Sequence, residues 1–229
     1  LSPLLNHLKG NLIVSCQPVT GGALDHPEII AGFAKAAIDG GACGLRIEGV
    51  ANLQAVRRVT DVPVIGLVKE DRPDTAVRIT STLDAVRDLA RGGADIIAID
   101  MTDRDRPVPL RSLVEEIHRA GRLAMADCAE IEDAVRAKKL GCEILASTMS
   151  GYVAGPVPSE PDLDFVRKLA GLDGFVIAEG RYHSPADAAR AMEAGADAVV
   201  VGSAITRPEH ITSWFVSAVK GASSARMAI

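Results

Sequence analysis

The chain has 229 residues, 48% hydrophobic but only 3% aromatic, with a formal net charge of −5. That length suits one large α/β domain, and a mix rich in Ala, Val, Ile and Gly suits a parallel sheet buried on both faces, not a sandwich filled by aromatics. The acidic balance leaves no basic footprint for nucleic acid, and no apolar run approaches the length that spans a bilayer. Cys16, Cys43, Cys128 and Cys142 lie far apart with no C-x-x-C spacing. This argues against a zinc site or a disulfide scaffold and for reduced thiols. With no signal-peptide pattern at its start, the protein is expected in the cytoplasm.

In chain order, a strand over Leu12–Gln17 stops at Pro18 and the Thr20-Gly21-Gly22 turn. A helix over Glu28–Asp39 follows Pro27 and closes at Gly40-Gly41. The second strand, Cys43–Ile47, carries Arg46 near its end and leads into a helix over Val50–Val59. The third, Val64–Val68, is terminated by Lys69. A polar loop over 70–81 precedes a helix over Leu83–Arg91, with Thr82 or Ser81 as its cap.

The fourth strand, Ile96–Ile99, ends in Asp100, and a helix over Leu110–Ala120 follows. The fifth, Leu123–Ala126, ends in Asp127, before a helix over Ile131–Lys139. The sixth, Glu143–Ala146, runs into Ser147-Thr148 and a loop rich in Gly and Pro that holds Tyr152. After a helix over Asp162–Ala170 come two more strands. One ends in Ala178-Glu179-Gly180; the other, Ala198–Val201, runs into Gly202-Ser203. Ser184-Pro185 opens a helix between them, and a last helix runs from Glu209 to about Val219. The small, polar tail over 222–229 is expected to fray.

Eight strands alternating with eight helices imply parallel strands joined by right-handed crossovers. Eight such units in this length fit a single closed (β/α)8 barrel over residues 1–229, and no G-x-G-x-x-G follows the first strand to favour a dinucleotide fold. In such a barrel, chemistry gathers at the C-terminal ends of the strands. Those ends are Gln17, Arg46, Lys69, Asp100, Asp127, Thr148, Glu179 and Gly202. Nearly all are polar after an apolar run, which makes one rim of convergent polar groups.

No histidine stands at a strand end, which argues against a zinc hydrolase; His7, His26, His118, His183 and His210 read as surface or packing residues. Lys69 reads as more than a snorkelling side chain. Burial and the neighbouring Arg46 both disfavour its ammonium, so its pKa should fall toward neutrality and fit it as a base or a Schiff-base amine. Glu179 is its acid/base counterpart, with a structural ion pair as the alternative reading. Asp100 and Asp127 read as actors or as orienting groups. The last two strand-Gly-helix units place backbone N–H groups side by side, a site for a phosphate.

The runs Ile13-Val14-Ser15-Cys16-Gln17, Ile65-Gly66-Leu67-Val68-Lys69, Ile97-Ala98-Ile99-Asp100, Met125-Ala126-Asp127, Ser147-Thr148 to Gly151-Tyr152, Ala178-Glu179-Gly180 and Val201-Gly202-Ser203 to Arg207-Pro208 resemble the N-acetylmannosamine-6-phosphate 2-epimerase family. They match in order from about Leu8 to Phe215. The chain departs from the pattern at Ile47-Glu48-Gly49 and at Arg181-Tyr182-His183. The resemblance implies interconversion of N-acetylmannosamine 6-phosphate and N-acetylglucosamine 6-phosphate in sialic acid catabolism, by a homodimer that uses no metal or nucleotide cofactor.

It carries Lys69 and Glu179 over as the catalytic pair. Gln17, Arg46 and Asp127 become substrate-contacting or assisting residues, joined on the rim by Thr148 and Tyr152. Gly180, Gly202, Ser203 and Arg207 become the phosphate site. Two other functions stay open from the residues alone. One is a phosphate-binding lyase or aldolase in which Lys69 forms a Schiff base; the other is a sugar-phosphate-binding barrel without catalysis.

Overall fold

Strand pairing follows chain order until the last strand returns to the first. A computed structural model describes residues 2–227. The strands are β1 (Asn11–Cys16), β2 (Gly44–Glu48), β3 (Val64–Leu67), β4 (Ile96–Asp100), β5 (Leu123–Asp127), β6 (Ile144–Ala146), β7 (Phe175–Glu179) and β8 (Ala198–Val201). All pair in parallel, and β8 closes on β1 through registers such as Asn11 opposite Ala198. This is the closed eight-stranded barrel expected from the alternating segments.

Successive side chains of a strand point to opposite faces of the sheet. Ile13, Ile65, Ile96, Met125, Ile144, Phe175 and Val200 therefore form one buried cluster inside the barrel. Leu45, Ile47, Ile97, Ile99, Leu145 and Val199 pack outward against the helices. The inward phase, followed along every strand but β2, ends at Gln17, Lys69, Asp100, Asp127, Thr148, Glu179 and Gly202. Their apolar predecessors fill the barrel beneath them, and that filling holds the polar ends at the rim.

The helices are α1 (Pro3–Leu8), α2 (Pro27–Asp39), α3 (Val50–Arg57), α4 (Leu83–Gly92), α5 (Leu110–Arg119), α6 (Ile131–Leu140), α7 (Leu163–Ala170), α8 (Pro185–Glu193), α9 (Ser203–Thr206) and α10 (Pro208–Met227). Thr82 caps α4 by accepting the Ala85 N–H at 3.2 Å, and Ser184 and Asp187 cap α8 reciprocally. None of the described helices is long and apolar enough to cross a membrane.

Three segments differ from expectation. A first helix precedes β1, and its Leu5 and Leu8 enter the cluster inside the barrel. At six residues it is too short to show a period, so packing holds it. The last helix does not stop near Val219 but runs to Met227, so residues 222–227 are helical; residues 228 and 229 lie outside the described part. Finally, the 70–81 segment is a hairpin continuing β3. Lys69 pairs antiparallel with Ile79, the Glu70 N–H donates to Arg78 O at 3.0 Å, and the Thr80 N–H donates to Val68 O at 2.8 Å.

Candidate active site

The rim encloses a cavity of about 450 Å³. Gln17, Lys69, Asp100, Thr148, Tyr152, Glu179, Gly180, Gly202, Ser203 and Arg207 all line it, as their places at or after strand ends require. Strands β3 and β7 stand four apart in the ring of eight, so Lys69 and Glu179 approach the cavity from opposite sides.

Arg46 and Asp127, read as substrate-contacting or assisting residues, stand apart from the other strand-end groups. They are buried, Arg46 1% and Asp127 0% exposed, and neither forms part of the cavity wall. For Arg46 the reason is register. Arg46 sits mid-strand opposite Ser15 and Ile65, a layer deeper than Lys69. Its guanidinium makes a two-pronged pair with Asp127, NH1 to Oδ1 at 3.0 Å and NH2 to Oδ2 at 2.6 Å. NH1 also donates to Glu179 Oε2 at 2.6 Å. A planar fork matched to a carboxylate is the geometry in which a buried arginine is stable.

Glu179 is thus the second carboxylate on a cation already satisfied by the first. Burial pushes its carboxyl up to about 7; Arg46 opposes that rise and Asp127 adds to it. The Thr148 hydroxyl bridges the two acids, 2.7 Å from Asp127 Oδ1 and 3.3 Å from Glu179 Oε2. Ser147, which the sequence reading passed over, fixes the backbone. Its hydroxyl donates to Glu179 O at 2.9 Å and accepts the Glu179 N–H at 3.0 Å.

Lys69 is steered from the other side. Its Nζ donates to Gln17 Oε1 at 2.6 Å, and Gln17 Nε2 in turn donates to Ser15 Oγ at 2.8 Å. Although the residue borders the open cavity, its ammonium is crowded by protein. Desolvation first, and the Arg46 charge second, lower its pKa to about 8. The direction agrees with the sequence expectation, and Arg46 acts on both groups.

The two ends of the cavity differ in charge. At the β7–β8 end, Arg207 Nε donates to Gln17 O at 2.8 Å. Arg181 donates through Nε to Glu160 O at 2.7 Å and through NH1 to Ser150 O at 2.5 Å. Among the described residues neither has a carboxylate within ion-pair distance, so both positive charges stand uncompensated. Gly202 belongs here because an added Cβ would meet Ser15 Cβ at 3.3 Å; Gly180 belongs here because its φ of +116° disfavours side chains. Arg181 itself holds a φ of +62° and lies 5.3 Å from the Tyr152 ring.

At the β3–β4 end, Arg78 pairs with Asp71, and Arg104 pairs with Asp100 at 2.5 Å. Arg78, Arg104 and Arg181 line the cavity but were missed, because each sits on a loop, outside the strand pattern. Ser15 was within reach, being two positions before Gln17 on the same inward face. His183, read as a surface or packing residue, lines the cavity mouth with its ring 4.5 Å from Trp214.

Comparison with known proteins gives one consistent result. Residues 30–221 match the family described as "Putative N-acetylmannosamine-6-phosphate epimerase". Two curated relatives are described in the same terms, as 2-epimerases. One, from Proteus mirabilis, is 55% identical over 212 residues, covering 93% of this chain and 91% of the relative. The other, from Haemophilus influenzae, is 53% identical over 219 residues and 96% of each. A solved structure of the N-acetylmannosamine-6-phosphate 2-epimerase from Clostridium perfringens superposes with a TM-score of 0.91 at 37% identity, covering 93% of this chain and 95% of that one. A thiamine phosphate pyrophosphorylase from Pyrococcus furiosus, with a TM-score of 0.60 at 19% identity over 89% of each chain, shares the fold alone.

Breaking the buried pair should be expensive. Asp127→Asn is expected to lower unfolding free energy by about 3–5 kcal/mol, the scale for stranding a buried charge, measured by urea denaturation near neutral pH. A loss under about 1 kcal/mol would mean that Arg46 is solvated and the pair adds little.

Proposed function

The chain belongs to the N-acetylmannosamine-6-phosphate epimerase family, and from that premise we propose how its residues divide the work. The reaction is the interconversion of N-acetylmannosamine 6-phosphate and N-acetylglucosamine 6-phosphate, which differ only in configuration at C2. The sialic acid catabolism implied by the sequence resemblance is consistent with that family. Opening the ring exposes the C1 aldehyde, which acidifies the C2 proton. Removing that proton leaves an enolate over C1 and C2, its electron pair shared with the C1 oxygen. Inversion requires the proton to leave on one face and return on the other.

The observation that carries this reading is the pair itself. Lys69 and Glu179 enter one cavity from opposite sides, near pKa values of about 8 and about 7. In one direction the neutral amine takes the C2 proton and the carboxylic acid delivers one to the other face. In reverse, the carboxylate takes it and the ammonium delivers. Both values lie near neutrality, so neither starting state is inaccessible. Arg46 and Asp127 act through Glu179, aiming Oε2 away from the substrate and leaving Oε1 for proton transfer. Gln17 aims Lys69.

The 6-phosphate belongs at the β7–β8 end, where Arg207 and Arg181 carry charge that no carboxylate neutralises. Gly180, Gly202 and Ser203 let the backbone approach it, and Arg207 supplies the cation. Thr148 and Tyr152 border the sugar between the two ends. A phosphorylated amino sugar is a metabolite of the cell interior, which supports the cytoplasm as the site of action; recovery in a periplasmic or membrane fraction would count against it.

The homodimer implied by the resemblance gains support from α10, where Phe215, Val216 and Val219 are exposed at 70%, 44% and 64%. Side chains four apart share a helix face, and a second copy is the occupant we infer for it. Sedimentation should give twice the 23.9 kDa chain mass, falling toward the monomer in Phe215→Glu. A wild-type monomer at micromolar concentration would rule the dimer out.

Proton NMR of N-acetylmannosamine 6-phosphate in D₂O tests the chemistry. Conversion to the gluco epimer should place deuterium at C2, and Lys69→Ala and Glu179→Ala should each lose about 10²–10⁴-fold in rate. In the same assay kcat/KM should follow a bell. Below about pH 7 both groups are protonated and no base remains; above about pH 8 both are deprotonated and no acid remains. Full activity in either alanine variant, or a flat profile, would sink the assignment.

A further inference from the structure

Beyond Lys69, the cavity end opposite the phosphate pole carries groups that the chemistry above does not use. Arg104 is held on three sides: Nε donates to Thr102 Oγ1 at 2.8 Å, NH1 to Ala76 O at 3.2 Å and NH2 to Asp100 Oδ2 at 2.5 Å. Asp100 is itself fixed, accepting the Thr102 N–H at 3.0 Å and the Thr102 hydroxyl at 2.5 Å. The arginine therefore ties the tip side of the 70–79 hairpin to the end of β4. A guanidinium has five N–H donors, so two remain on a rigid group that lines the cavity.

The charge of this end decides what it suits. Asp100 is 1% exposed and pairs with Arg104 directly and with Arg106 at 3.8 Å, whereas Arg207 and Arg181 at the far end have no carboxylate within ion-pair distance among the described residues. An anion is better placed at the far end. A pre-aimed pair of donors already backed by a buried carboxylate suits a neutral carbonyl oxygen instead. Ile79, whose carbonyl accepts the Asp100 N–H at 3.3 Å, and Met149 also line the cavity and belong to or pack on the apolar cluster inside the barrel. Arg78 is a poorer candidate: its side chain is 54% exposed and its partner Asp71 80% exposed, so binding through it would have to immobilise both.

Strand β4 lies four places from β8, across the ring. A sugar anchored by its phosphate at β8 extends its C1–C2 end toward β4, which brings the C2 substituent to Arg104. Resting on the epimerase reading, we infer that Arg104 is a specificity-determining residue that hydrogen-bonds the carbonyl oxygen of the substrate's N-acetyl group, with Ile79 and Met149 receiving its methyl. The donor pair and the apolar wall together select an acylated amino sugar over a plain hexose phosphate.

Calorimetric titration with two 6-phosphates separates this role from a structural one. Glucose 6-phosphate keeps the phosphate but lacks the acetamido group of N-acetylglucosamine 6-phosphate. The wild-type protein should bind the acetylated sugar more tightly. Arg104→Lys and Arg104→Gln should each weaken that ligand about tenfold, the scale of a charge-assisted hydrogen bond, and leave glucose 6-phosphate within about twofold. Equal affinity for the two sugars in the wild type would overturn the inference, as would a parallel loss of both, or no loss of either, in the two variants. Failure of the epimerase reading shows separately, as absence of C2 deuterium exchange by the wild-type protein.

Discussion

A single buried guanidinium organises the centre of this barrel. Removing an arginine from water costs several kcal/mol unless carboxylates surround it with good geometry, and Arg46 meets that demand with two. Asp127 takes both prongs, which leaves Glu179 sharing one nitrogen with an acid already in place. Glu179 is consequently a buried carboxylate whose cation is half-spent, and its pKa rises to about 7. The same positive charge, felt by Lys69 after desolvation, helps bring that amine down to about 8. Burial thus raises the acid and lowers the base toward a common range, while the Arg46 charge lowers both. Neither group could reach that range alone, because each ordinary value lies several units from neutrality.

The barrel supplies what this arrangement needs. Parallel closure gives eight inward-facing series, apolar below and polar at the top, so burial and convergence come from the same alternation. Short polar clamps then remove the remaining freedom. Ser147 grips the Glu179 backbone, Thr148 spans the two acids, and Ser15 orients Gln17 toward Lys69. These are neutral hydroxyls and an amide, which direct side chains without adding charge that would upset the balance set by Arg46.

Charge compensation also gives the cavity a direction. Four arginines line it, but only the two near β7 and β8 lack acidic partners. The result is one end whose arginines lack acidic partners and another whose arginines are paired with carboxylates.

Much of this was legible in the residues. Strand-helix alternation and period-two patterning are properties of short stretches of chain, so the eightfold barrel, the rim positions of Lys69 and Glu179, and the glycine turns after β7 and β8 could be read directly. The depth of Arg46 could not. It depends on the stagger between β2 and its neighbours, and on partners 81 and 133 residues away in sequence. For the same reason the residues alone could not show that packing buries Arg46 and Asp127 behind the cavity wall. A sequence reading also passed over Arg104, whose meaning comes from a hairpin and a strand end meeting across 28 residues. Local chemistry determined which groups the rim would carry. Only the folded barrel decided which carboxylate claims the buried cation and which arginines keep their charge, because those outcomes rest on distances between strands that the chain itself never brings close.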